Sequence, residues 1–388
     1  MVDIEEITEI RRHLHQHPEL SLQEHETTRF IIKQIETLKI EYFTPLDTGV
    51  IAIIRGNTDK TIAFRADIDA LPIDEHNEVP YQSIIPNVMH ACGHDGHTTM
   101  LLALMKEIKH LSDQQPLKYS YMFIFQPSEE ANAGANLLIQ NFNFDQFNIQ
   151  AIYGIHMMPD NPEGEIAYRS NEITASATEY RFYIEGQSAH VANKEQGHAA
   201  SNALIQILNQ VSSLQQFHLP GLNRNIVHIG KFNAGEAINT VPSTGYLEGT
   251  IRTYSENDLS VVKQKMTEIA NGIAITSGCK IDIAFTAGYP PTINDGSLEQ
   301  RVISAIRDAK LIPVYNDLPY LFGEDFSYYA SLAPTYFVFL GCRNTDKGYI
   351  NGLHHNQFNF DELVLLNGIQ YYKSLVRSYE HECEMGNQ

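Results

Sequence analysis

Residues whose types and spacing suit chemistry gather most densely in Met89-His90-Ala91-Cys92-Gly93-His94-Asp95-Gly96-His97-Thr98-Thr99-Met100-Leu101-Leu102. From His90 to His97 the chain holds three histidines, a cysteine and an aspartate, and then enters an apolar stretch of helical periodicity. Imidazole and thiolate together form the ligand set preferred by zinc and its first-row neighbours. The ordinary alternative is a polar loop capping a helix, with Asp95 or Thr98 near the N-cap. Capping would explain Asp95 but not the histidines around it.

The elements that would position these residues follow a strand–loop pattern. Val50–Arg55 and Thr61–Ala66 are short apolar strands flanking the turn Gly56-Asn57-Thr58-Asp59. The second runs into Asp67-Ile68-Asp69, two carboxylates at a strand's C-terminal end, where open α/β sheets place their chemistry. Tyr119–Phe125 has the near-continuous apolar character of a buried parallel strand and leads into Glu129-Glu130, adjacent carboxylates that repel unless a cation lies beside them. Ala151–Ile155 gives another strand ending at His156, and the pair His354-His355 precedes the last helix. Packing alone does not explain four such strand ends or following loops, each delivering Asp, Cys/His, Glu-Glu or His. Nearer the start, residues 3–16 read as a helix stopped by Pro18, whose three histidines suit helix-end and packing roles. Ser21-Leu22-Gln23-Glu24 reads as a capping box opening a second helix to about Ile40.

The texture changes from Glu172. Strand at 176–186, helix at 197–216, strands at 225–233 and 245–254, helix at 256–277 and strand at 280–285 give the order of a split βαβ unit. With no Ser- or Gly-rich linker around it, this unit reads as an insertion. The expected organisation is a catalytic domain in two segments, 1–173 and 287–388, interrupted by an inserted lid and dimerisation domain at 174–286. The expected fold class is α/β, with a mixed central sheet carrying helices on both faces, plus the inserted α+β domain.

Composition bounds the rest. Lys and Arg number 27 against 47 Asp and Glu, a net charge of −20, which argues against nucleic-acid and anionic-membrane binding. Apolar residues make up 43%, ample for globular packing, with no apolar run of spanning length. The acidic start Met1-Val2-Asp3-Ile4-Glu5-Glu6 lacks a signal core, so a cytoplasmic location is expected. Of the four cysteines, Cys279, Cys342 and Cys383 read as reduced thiols, and Cys92 stands apart by its neighbours.

The sequence resembles, over nearly its whole length, the co-catalytic metallohydrolases that include aminoacylase and bacterial glutamate carboxypeptidase. The branch is that of hippurate hydrolases, indoleacetyl-amino-acid hydrolases and N-acetyldiaminopimelate deacetylases. The resemblance is carried by Arg12-His13-Leu14-His15-Gln16-His17-Pro18-Glu19-Leu20, Arg65-Ala66-Asp67-Ile68-Asp69-Ala70-Leu71-Pro72, His90-Ala91-Cys92-Gly93-His94-Asp95-Gly96-His97 and Gln126-Pro127-Ser128-Glu129-Glu130. Gly186-Gln187-Ser188-Ala189-His190, Asn239-Thr240-Val241-Pro242, Gly249-Thr250-Ile251-Arg252 and Gly323-Glu324-Asp325-Phe326 follow in order. It implies a zinc-exopeptidase-like fold and two divalent ions (Zn, Mn, Co or Ni) on Cys92, His94, Glu130, His156 and His354. His354 is preferred over His355 because the family's histidine lies four residues before the phenylalanine, here Phe358. Glu129 is implied as the base for a metal-activated water, Asp69 as the carboxylate orienting the site, and His190 as an oxyanion donor reaching the partner subunit's site. Asn239 and Arg252 are candidates for a substrate carboxylate. The implied activity is hydrolysis of small N-acyl amino acids by a homodimer. A dipeptidase or exopeptidase with the same site, a non-catalytic metal-binding protein and a nucleophilic Cys92 remain as alternatives. Two departures stand out: Lys194 replaces the proline usual four residues after His190, and Ala131-Asn132-Ala133-Gly134 replaces consecutive glycines after Glu130.

Overall fold

Strands Val50–Ile54, Thr61–Asp67 and Ser120–Gln126 are buried at every position, so their apolar runs have only a sheet interior to occupy. They belong to an eight-stranded sheet in the computed structural model of the chain, which describes residues 3–286 and 288–381. Cys383 lies outside the described residues. Contacts divide the chain into two units: Met1–Ile173 with Ile293–Leu318 and Tyr328–Gln388, and Thr174–Thr292 with Pro319–Ser327.

In the first unit the sheet order is Glu41–Phe43, Val50–Ile54, Ser120–Gln126, Thr61–Asp67, Ile149–Pro162, Thr335–Arg343, Glu165–Tyr168, Ile312–Tyr315. The sheet is mixed: Ser120–Gln126, Thr61–Asp67, Ile149–Pro162 and Thr335–Arg343 run parallel, and Val50–Ile54 pairs antiparallel with Ser120–Gln126. Val50–Ile54 and Thr61–Asp67 are therefore not sheet neighbours across the Gly56–Asp59 turn. Ser120–Gln126 lies between them. Helices Ile4–Gln16, His94–Gln114 and Val364–Glu380 supply apolar faces to the same core, where Ile7, Leu101, Leu104, Ile369 and Leu375 are buried.

Two local expectations change. The capping box is not formed: the second helix spans His25–Thr37, and Glu24 at its N-cap position makes no side-chain cap bond. The Glu19 carboxylate accepts from the N–H groups of Glu26 and Thr27 instead (3.1 and 2.8 Å). Nor is Asp95 a cap. The helix starts at His94 behind Gly93, and the buried Asp95 carboxylate accepts from Arg11 Nε at 2.8 Å.

The second unit is a four-stranded antiparallel sheet, ordered Lys280–Phe285, Thr178–Glu185, Thr244–Thr253, Asn225–Ala234. Thr178–Glu185 alternates buried and exposed residues, turning Phe182 and Ile184 toward helices Ala200–His218 and Glu256–Ser277. Among the described residues, no helix is long and apolar enough to cross a membrane.

Candidate metal centre

The register of the parallel strands decides what meets at their C-terminal edge. Asp67 pairs with Gln126, so Asp69 and Glu129-Glu130 leave the sheet together. Thr61–Asp67 stays paired with the neighbouring strand as far as Gly154, and that strand then continues to Pro162. His156 is thus inside a strand rather than at its end, two residues past the last pair with Thr61–Asp67 and opposite Phe339. Cys92 and His94 approach from the loop and first turn of the His94–Gln114 helix, and His354 from the loop before the last helix.

Backbone strain marks these approaches. Gly93 has φ +86°, and a Cβ there would lie 3.1 Å from Met157 Cγ. Ser128, Ala133 and His354 take left-handed φ of 57°, 54° and 62° without being glycine. The Ala131–Gly134 turn forms with Ala133 in the conformation a glycine would adopt freely. Gly134 closes the turn against Pro127, where a Cβ would fall 1.7 Å from the carbonyl oxygen.

Cys92 Sγ lies 3.4 Å from His156 Nε2 and 3.3 Å from His354 Nε2. His354 Nε2 is 3.3 Å from Glu130 Oε1, and His94 Nε2 is 3.8 Å from the same oxygen. Donor atoms of Cys92, His94 and His156 lie within 4.8 Å of one another, as do those of Cys92, Glu130 and His354, and those of His94, Glu129 and Glu130. Two of these groups share the sulfur. Asp69 accepts from His94 Nδ1 through its carbonyl (2.9 Å) and Oδ1 (3.1 Å), while its Oδ2 accepts from the Glu130 N–H (3.0 Å) and Ser21 Oγ (2.7 Å). This fixes His94 with Nδ1 protonated and Nε2 turned to the cluster.

The donor set fits cations. Among the described residues, His94 Nε2 and Glu130 Oε1 are buried with no hydrogen-bond partner, facing each other across a gap too long for one. Burial, then Glu130 and Glu129, push the Cys92 thiol well up, so a thiolate there needs a nearby positive charge. Burial, then His97, push His156 well down and keep its ring neutral, as a ligand must be. Burial opposes a charge on His94, but Asp67, Asp69 and Glu130 outweigh it and raise its pKa to about 10. Without a cation, the carboxylates recruit a proton.

A second buried layer surrounds this set. Asp67 accepts from His97 Nδ1 at 2.6 Å and Arg65 Nη1 at 2.7 Å, and His97 Nε2 accepts from the Met157 N–H at 2.9 Å. An accepting Nε2 puts the ring proton on Nδ1, facing Asp67. Asp67, His94 and His97 also have metal-ligand spacing, but the hydrogen bonds of His97 and Arg65 already engage both Asp67 oxygens. The sequence leaves Asp67 and His97 without a specific role in the site, and it reads Ser21 as a helix cap, whereas here Ser21 Oγ donates to Asp69. The available signals are the two-residue spacing of Asp67 and Asp69 and the three-residue spacing of His94 and His97 on one helix face.

In the second unit, exposed His190 and Asn239 are brought side by side: the Val191 N–H donates to the Asn239 carbonyl at 3.1 Å, and His190 bridges Thr240. His190 Nδ1 accepts from the Ala192 N–H at 3.1 Å. Arg252 is not part of this corner. It sits at the far end of Thr244–Thr253, roughly 25 Å along the strand from its start, half-buried and donating to Thr250 Oγ1 at 2.8 Å.

Residues 63–378 match the profile of peptidase family M20/M25/M40. An uncharacterized hydrolase of Staphylococcus saprophyticus is 53% identical over 379 residues, covering 98% of each chain. Another from Staphylococcus haemolyticus is 54% identical over 383 residues, covering 98% of this chain and 100% of its own. Among solved structures, a putative aminohydrolase from methicillin-resistant Staphylococcus aureus superposes with TM-score 0.91 at 27% identity over 97% of each chain. The Bacillus subtilis YxeP protein, a dinuclear metal binding peptidase, superposes with TM-score 0.83 at 32% identity over 98% of this chain and 99% of its own.

Proposed function

The chain belongs to peptidase family M20/M25/M40, and on that premise we propose that it is a two-metal amidohydrolase that removes the acyl group from N-acyl amino acids. The observation that carries this reading is the pair of ligand groups sharing Cys92, with Glu129 against one edge. Similarity to a dinuclear metal binding peptidase supports it. Cys92, His94, Glu130, His156 and His354 would hold two divalent ions of the zinc, manganese, cobalt or nickel type. Such ions supply positive charge that polarises a scissile carbonyl and acidifies water beside it.

The chain's own residues do the rest. Asp69 orients His94 and, through the Glu130 N–H, the Glu129-Glu130 turn. Glu129, buried at the strand's exit, takes the proton from the attacking water and returns it to the leaving amine. His190 and Asn239, on the 174–286 lid and dimerisation domain, offer polar contacts for the carbonyl oxygen and the substrate carboxylate in a homodimer. Arg252 is a separate carboxylate-binding candidate. Residues 1–173 and 287–388 would supply the catalytic domain, although contacts group the chain as far as Thr292, and Pro319–Ser327, with the second unit.

Assays of N-acetyl- and N-benzoyl-amino acids beside dipeptides test the substrate class. Faster cleavage of the N-acyl compounds is expected, and faster cleavage of dipeptides would make the protein an exopeptidase. Glu129→Gln should keep its metal and lose turnover by about 10²–10⁴-fold. Unchanged turnover would remove Glu129 as the base. Substrate binding without product in the wild type would make the protein a metal-binding protein rather than an enzyme.

A further inference from the structure

Arg11 is 1% exposed, yet it lies in a helix far in sequence from every ligand. Its Nε donates to Asp95 Oδ2 at 2.8 Å and its Nη2 to Asn359 Oδ1 at 2.8 Å. Asp95 directly follows His94 in the first helical turn, and Asn359 lies on the loop that carries His354. The guanidinium also sits over the Phe360 ring, 4.3 Å from its centroid. A parallel chain makes the same crossing. His15 Nδ1 meets Asp95 Oδ2 (2.8 Å), His15 Nε2 meets Glu75 Oε1 (3.0 Å), and Asn77 Nδ2 donates to both Glu75 Oε1 (2.9 Å) and the Phe358 carbonyl (3.0 Å).

The ligands differ in what holds them. His94 is fixed by Asp69, and His156 by its Nδ1–H to the Met157 carbonyl at 2.7 Å. The His354 ring is 51% exposed, and among the described residues its Nε2 meets only other members of the cluster, Cys92 and Glu130. Its position is therefore set through its backbone: a left-handed φ of 62°, an N–H to the Ala91 carbonyl at 2.8 Å, and the seating of the loop behind it.

We propose that Arg11 is a positioning residue that locks the His354 loop to the His94 turn, and so controls whether the Cys92–Glu130–His354 group can hold its cation. The inference rests on the two-metal reading above. A planar guanidinium spans both acceptors at once, which an ammonium on a shorter reach does not.

The test counts Co²⁺ bound per chain in chelator-stripped protein by dialysis and elemental analysis, and follows the near-ultraviolet thiolate–cobalt absorption. Wild type should bind two ions. Arg11→Met keeps the apolar stem; it should retain one ion at full strength and bind the second roughly 10–100-fold more weakly, and Arg11→Lys should not restore it. Asn359→Ala should shift in the same direction by less. Arg29→Ala, whose side chain is 66% exposed and pairs with Glu26 on its own helix, should match wild type. Two ions bound at wild-type strength by folded Arg11→Met, or equal weakening of both, would overturn the proposal. Should Arg11→Met fail to fold, Asn359→Ala decides: selective weakening of one ion supports the proposal, and unchanged binding of both overturns it. Fewer than two ions on wild type would instead refute the two-metal reading, and this inference with it.

Discussion

Replacing His97 with leucine removes the most constrained group behind the cluster. The ring is buried, with Nδ1 2.6 Å from Asp67 and Nε2 2.9 Å from the Met157 N–H. Leucine would leave one Asp67 oxygen without its closest donor and the Met157 amide without its acceptor. Each abandoned buried partner costs about 1–3 kcal/mol, so a loss of about 2–6 kcal/mol is expected. Because Met157 also accepts from His156 Nδ1, loosening its amide should let that imidazole drift. Metal affinity should fall about 10–100-fold. The chain has no tryptophan, so urea unfolding of chelator-treated protein is best followed by far-ultraviolet circular dichroism, with metal affinity measured separately. Gln at this position can satisfy one neighbour and should lose about half as much. A loss of under about 0.5 kcal/mol, the scale of a surface substitution, would refute this account of the brace.

Two further perturbations probe the frame. Burial, then the charge of Asp69, push the Glu24 carboxyl up to about 7. The folded chain then holds a proton that the unfolded chain releases near 4.5, so this contribution is complete below about pH 4.5 and is lost as pH rises through 7. Chelator-treated protein should lose about 3 kcal/mol by this route, and Glu24→Gln should flatten that stretch of the stability–pH curve. A variant with the wild-type slope would contradict the assignment. Gly134→Ala places a Cβ 1.7 Å from the Pro127 carbonyl oxygen, so the turn carrying Glu129 and Glu130 must open. Displacement near 1 Å should reduce kcat/KM for an N-acyl amino acid by about a hundredfold, and activity within about twofold of wild type would show that the turn tolerates it.

The sheet and the edge where the polar cluster gathers are legible in the sequence because buried parallel strands write themselves as apolar runs that lead into Asp67-Ile68-Asp69 and Glu129-Glu130, whereas the run through His156 continues as strand to Pro162. Strand order is not legible, because pairing is set by contacts that sequence adjacency hides: Ser120–Gln126 enters between two strands joined by a short loop. Ser21 and Glu24 match a local capping pattern, yet distant groups claim both. Ser21 donates to Asp69, and Glu24 accepts from the Ser128 N–H at 2.8 Å. Asp95 escapes a local reading for the same reason, since its partners Arg11 and His15 sit on a helix some eighty residues upstream. Local propensity reports what a residue can do nearby, and a buried charge goes where its counter-charge is.

In the proposed two-metal reading, Cys92 anchors a pair of cations on which amide hydrolysis depends. Stripping the protein with chelator and restoring Zn²⁺, Mn²⁺, Co²⁺ or Ni²⁺ stepwise, while assaying an N-acyl amino acid, measures this directly. Activity should vanish on stripping and return as bound metal approaches two ions per chain, whereas hydrolysis that persists in fully stripped protein would contradict the account.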